Sequence, residues 1–388
     1  MPTTTTRRRP AAATARVARR TSDGAGSAWS RHDLAPVLVE IRRGQVVESR
    51  HRGHVVQVGA GGVIEQVIGD PSVVVTLRSA VKPFALVALV ESGAADALHL
   101  TAPELAVMAA SHHGEDLHVR TLQAVFRRAG MSQSLLACGS TGAPLDELTA
   151  IRLARDGEKP GAIRHMCSGF HAASLLLAHH AGWTVEDYWH RDHPSQVAVR
   201  AVVGRVFGVA PAALVTAGDD CGVQTYAFPL MAVAHAFALL ADPLGSAPDA
   251  ARATLSPALT RIRDAMIDAP DLVGGARGSL TTSLMKARPG ALVAKSGAEA
   301  LQGVGVLPGA RGKSSPAAGV AISIEDGDGR SRALGPVTIE ALDQIGALDD
   351  KAVRQLDRLH HLPSLDAHGD AVGQAVVAFE LAPLAELL

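Results

Sequence analysis

The chain has 388 residues, 47% of them hydrophobic and only 3% aromatic, which points to a folded core packed with Ala, Val and Leu. Its 37 Lys and Arg nearly cancel its 38 Asp and Glu, which excludes a global basic field for nucleic acid or anionic membrane. No apolar run of about 18 residues occurs, so no membrane-spanning helix is expected and the partner is expected to be a small molecule.

Residues 1–33 are basic and rich in Thr and Ala, without the uninterrupted apolar run of a signal peptide, and are expected to form a disordered tail. The three cysteines, Cys138, Cys167 and Cys221, are scattered and odd in number, which predicts reduced thiols and a cytoplasmic protein. From Val37 the β-branched runs VLVEIRR, HVVQVGAGGVIEQVIGD and SVVVTLR, broken by Gly or Asp-Pro, predict an antiparallel meander. The GAGG at 59–62 reads as a hairpin turn, because no helix follows it.

From Ser79 the apolar period changes to helical, in FALVALVESGA, APELAVMAAS, HVRTLQAVFRRAG, HAASLLLAHHAGW, SQVAVRAVVGRVFG and PLMAVAHAFALLAD. Thr101 and Asp249 are expected caps. Strands return in ALVAKSG, GVGVLP, GVAISIED and AVVAFEL, with helices over 336–347 and 349–360. Strands at both ends around a helical middle predict one α/β (α+β) domain over 34–388. Its sheet lobe takes 34–78 and 290–388, and its helical lobe takes 79–289.

Chemistry enters at RSAVKPF, residues 78–84. A helix starting near Ser79 places Lys82 on the same face, where a neutral amine can take the hydroxyl proton and make serine a nucleophile. Taken alone, S-x-x-K reads as a cap followed by a solvated lysine. Two later features raise the catalytic reading: Ser111 ends a helical run in AASHHGE, and Lys295 opens a K-S-G triplet on a strand. That order is the motif order of penicillin-recognising serine enzymes and predicts acyl transfer. The histidines of SHHGEDLH, His112, His113 and His118, lack the spacing of a metal-ligand helix and read as loop residues.

RSAVKPF, ASHHGEDLH, CSGFHA, GDDCG and KSGAE occur together in an order that resembles the asparaginase II family, over about Val37 to Leu388. The resemblance implies a serine β-lactamase-like fold with a central antiparallel sheet from both termini, a homodimer, and hydrolysis of L-asparagine to L-aspartate and ammonia. Position by position, it implies one Ser-Lys pair at Ser79 and Lys82 and a second at Ser111 and Lys295. Arg78, His171 and Asp219 would line the substrate pocket. An acyl-enzyme would form on one of the serines, and the sequence leaves open which.

The resemblance also implies a zinc position at Cys167 and Cys221. Here CSGFH puts Phe170 where a lysine ligand is usual, and phenylalanine has no lone pair to give. Two thiolates without a third ligand from His165 or His171 make a poor zinc site, so no cofactor is expected to be required. Asp220 and Gln224 depart from the family pattern in the same neighbourhood. They keep a second reading open: a diverged relative with an altered amide substrate, or one that binds a small ligand without turnover. Acylation by β-lactams is a third reading, resting on fold analogy.

Overall fold

A computed structural model describes residues 35–384, so the expected tail at 1–33 lies outside the described residues. The first strands are β1 (Val37–Arg43), β2 (Val46–Gly59), β3 (Ile64–Ile68) and β4 (Val74–Thr76). β5 (Val215–Gly218) and β6 (Gln224–Pro229) interrupt the helices, and β7 (Leu292–Gly297), β8 (Leu301–Val306) and β9 (Ala318–Ile324) follow them. β10 (Pro363–Leu365), β11 (Ala371–Val377) and β12 (Ala382–Pro383) complete the set.

The large sheet runs β10-β11-β1-β2-β9-β8-β7, with β3 bridging β2 and β12, and its pairings are antiparallel. Both ends of the described chain therefore feed one sheet, as expected. β2 is long enough to change neighbours: Val46–Arg52 pairs with β1, then Val55–Val58 pairs with β3, while Gly53–Gly59 holds β9 on the other side. A bulge at Gln57/Val58 shifts the register of the β2–β3 pairing.

One expectation needs correction. The stretch 79–289 is not purely helical, because β5 and β6 pair with β4 as a separate three-stranded sheet in the order β4-β6-β5. VTAG and QTYAFP flank the tight turn at Asp219–Gly222, where Gly222 N–H donates to Asp219 O at 2.9 Å. These strands are short, so the long helical runs on either side masked their period of two.

The helix Leu230–Ala241 lies on β8 and β9. Glycine makes that approach possible: a Cβ on Gly319 would stand 1.8 Å from Ala234 O. The helix Ala102–Met108 packs between Ser256–Asp268 and Ser168–His180. It starts at a capping box in which Thr101 N–H donates to Glu104 Oε2 at 2.8 Å. Asp249, the other expected cap, accepts from Arg252 N–H at 2.8 Å. β7 is an edge strand, and the turn Arg78–Val81 packs against it. The Ser79 turn and the Lys295 strand thus meet where sheet and helices join. Among the described residues no helix is long and apolar enough to cross a membrane.

Candidate active site

Arg78 opens the first helical turn in the left-handed region, at φ 46°, and its N–H donates to Thr225 Oγ1 at 2.8 Å. A single 3-10 turn, Arg78–Val81, then runs into the short α-helix Lys82–Ala85. Lys82 is buried by this turn. Its Nζ donates to Ala110 O (2.8 Å), Ser111 Oγ (3.3 Å) and Cys167 Sγ (3.2 Å).

Ser111 stands just beyond the helix Ala102–Met108, with its N–H donating to Val273 O at 3.1 Å. Lys295 reaches it from β7. Lys295 Nζ lies 2.8 Å from Ser111 Oγ and donates to Ser296 O at 2.7 Å, with only 1% of the residue exposed.

The geometry redraws the expected pairs. Lys82 finds its acceptors at the end of one helix and the start of another, and none of them is Ser79, three residues back. Ser111, not Ser79, is the hydroxyl that both lysines share. Ser79 stays half-buried on the same turn.

Two amines around one hydroxyl in a dry site repel each other when both are charged. Burial, followed by the nearby Lys82 charge, holds Lys295 well below the ordinary lysine range. Lys82 also faces the Cys167 sulfur. A hydrogen bond from Cys221, the Lys82 ammonium and His165 hold the Cys167 thiol well below its ordinary value, while Cys221 is pushed up. The pair is arranged with Cys221 donating toward the Cys167 sulfur, whose charged form the neighbouring Lys82 favours. Cys138, read as a core thiol, is buried with its pKa pushed up to about 12 by burial.

Cys167 reaches Lys82 because its helix, Ser168–His180, begins against the helix Ala102–Met108. A Cβ on Gly169 would stand 1.8 Å from Val107 O, so only glycine allows that approach. Phe170 is buried in the core and lines a small apolar cavity together with Ala85, Leu86, Leu177 and Val199.

Among the described residues no three His, Cys, Asp or Glu side chains form a metal-holding group. His165 Nδ1 accepts from Cys167 N–H at 3.2 Å. His171 is fully buried with Nδ1 held by the Tyr188 hydroxyl at 2.6 Å, and burial lowers its pKa to about 4. With Lys82 on the Cys167 sulfur and Phe170 in the core, the residues present do not fit a zinc ion. His171 is also closed off from a substrate in this arrangement.

Arg78 and Asp219 come together, Nη2 to Oδ1 at 3.1 Å. Asp220 joins the same guanidinium, and both carboxylates raise the Arg78 pKa against its burial. Gln224 faces Arg200 instead, at 3.5 Å. Sequence reasoning missed the direct Cys167–Lys82 contact, since CSGFH was read only for metal. It also set aside His112, which adjoins Ser111 and carries the signal of a histidine inside a motif.

Two solved structures, titled "Crystal Structure Analysis of Mglu" and "Crystal structure of Mglu in its native form in the presence of 4.3M NaCl", are each 14% identical to this chain. They cover 77% and 79% of it at TM-scores of 0.35 and 0.32, and the chain covers 68% and 59% of theirs. No curated protein sequence matches the chain. The sequence model of the family described as L-asparaginase II matches residues 39–377, and the chain belongs to that family.

Proposed function

We propose that this protein is an amidohydrolase that cleaves the side-chain amide of L-asparagine, giving L-aspartate and ammonia, with Ser111 as nucleophile. The observation that carries the reading is the Ser111 hydroxyl lying 2.8 Å from Lys295 Nζ and 3.3 Å from Lys82 Nζ. A neutral Lys295 accepts the hydroxyl proton along the shorter contact, and Ser111 Oγ bonds to the amide carbon. The C–N bond breaks as that proton passes to the leaving nitrogen. Lys295 then takes a proton from the water that hydrolyses the ester. Lys82, anchored by Cys167, donates to Ser111 Oγ and steadies its developing charge. Arg78 stands beside Ser79 on the opening turn and is the group of the right charge for the substrate's α-carboxylate.

The turn carrying Ser79 and the K-S-G triplet on an edge strand support a serine β-lactamase-like arrangement. Free cysteines support a cytoplasmic location, and the resemblance adds a homodimer, which light scattering on the purified protein tests. Ammonia release from L-asparagine and L-glutamine, with and without added zinc, tests the activity. Ser111→Ala is expected to lower turnover by at least about 10³-fold, and Ser79→Ala by much less. Equal losses would remove Ser111 from its assigned role. Asp220, which competes for Arg78, favours a second reading in which another amide is preferred, and a panel of amides bearing different α-substituents separates the two.

A further inference from the structure

We infer that His112 is a positioning residue: its buried ring ties the Ser111 segment to the Cys167 corner and thereby sets the hydroxyl between the two lysines. The inference rests on the reading of Ser111 as nucleophile. His112 N–H donates to Met166 O at 3.2 Å, joining the backbones of the two segments. Gly114 N–H donates to His112 Nδ1 at 3.1 Å, which puts the proton of the neutral ring on Nε2. Nε2–H donates to Ser168 Oγ at 2.8 Å, and that hydroxyl donates onward to Ile163 O at 2.8 Å.

The two residues joined by this strut are the immediate neighbours of Ser111 and Cys167, and both of those touch Lys82. Moving one end relative to the other changes the Ser111–Lys82 separation directly. The ring is fully buried, and burial, then the facing His118 and Lys82, holds it below the ordinary imidazole range, so both nitrogens keep these roles.

A second ring braces the first. His118 stacks on His112 with centroids 4.6 Å apart and planes 12° from parallel. Its Nε2–H donates to Asp271 O at 3.0 Å, two residues before Val273, whose carbonyl accepts the Ser111 N–H. The motif SHHGEDLH thus grips the nucleophile's segment from both sides through His112 and His118.

The test separates the two bonds of the ring. His112→Gln keeps an N–H at the reach of Nε2, whereas His112→Asn keeps only an acceptor at the reach of Nδ1. The Gln variant is expected to stay within about threefold of wild-type kcat, and the Asn variant to lose about tenfold or more with KM changed less than about twofold. Ser168→Ala should reproduce the Asn loss, and combining the two should add little to either alone. Equal kcat in Gln and Asn variants of matched melting temperature, or fully additive losses with Ser168→Ala, overturns the inference.

The same series read as the labelling rate of Ser111 by a fluorophosphonate, mapped by mass spectrometry, keeps this question apart from the substrate. Labelling in a wild-type protein that releases no ammonia sinks the asparaginase reading, and the variants' labelling rates then judge the strut. Absence of Ser111 labelling in the wild type overturns both.

Discussion

Burial and the nearby Lys82 hold Lys295 well below the ordinary lysine range, and its titration acts on stability and on activity alike. Because its pKa lies below that of an exposed lysine, the unfolded chain binds more protons than the native one between the two values, so native stability rises with pH across that window. The rate follows the same sign: kcat/KM should fall as acid protonates Lys295, along a limb placed below the ordinary lysine range. A pH–rate profile checks it, and a limb near pH 10 would exclude Lys295 as the base. Lys295→Met removes the buried amine beside Lys82 and should abolish turnover while raising the melting temperature by about 1–3 °C. Asp220 gives the complementary case. It is 91% exposed on its side chain yet shares Arg78 with Asp219, so Asp220→Gly should leave the guanidinium to Asp219 alone and lower KM for a carboxylate-bearing amide by about threefold, kcat being little changed. An unchanged KM would mean that Arg78 does not bind the substrate.

At the scale of elements, the site depends on how closely three backbone segments approach. The start of the helix Ser168–His180 sits against Val107 O, and Gly169→Ala places a methyl group 1.8 Å from that oxygen. We expect a loss of about 1–3 kcal/mol in stability and a disproportionate loss of kcat, because the Cys167 end moves away from Lys82. Denaturant titration beside turnover measures both, and retention of full activity would show that the helix end can yield without disturbing Lys82. Much of this framework was legible in the sequence. Thr101, with Glu104 three residues on, announced a helix start, and the K-S-G strand announced the second lysine. The true partners of Lys82 were not legible, and Ser79 was named in their place, because spacing along a helix says which residues share a face but not which acceptors a long side chain will find across the fold. β5 and β6 were missed for a related reason, being short strands set between long helices. The Cys167–Lys82 contact joins residues 85 positions apart and has no local signature.

Across the whole molecule, the sheet is closed by its late strands. β11 pairs with β1 from Val39↔Val377 to Arg42↔Gln374, and β7 to β9 supply the half of the sheet that carries Lys295. Removing residues beyond 361 strips β10, β11 and β12 and leaves β1 as a bare edge. Such a chain is expected to lose cooperative thermal unfolding, which calorimetry would register. The overall plan of strands, helices, then strands was readable because composition and period change together near residues 79 and 290. The order of strands within the sheet was not, since pairing between distant segments is decided by packing. The way β2 passes from one neighbour to the next has a consequence in time. Its partners β1 and β3 come from the first seventy residues, but β9 is made some 260 residues later, and Lys295 belongs to the same late group. A chain emerging from the ribosome therefore holds Ser79, Lys82, Ser111 and Cys167 long before the amine that would activate Ser111. In refolding, helical signal should return before hydrolysis does, and the appearance of activity would mark the moment the sheet is sealed.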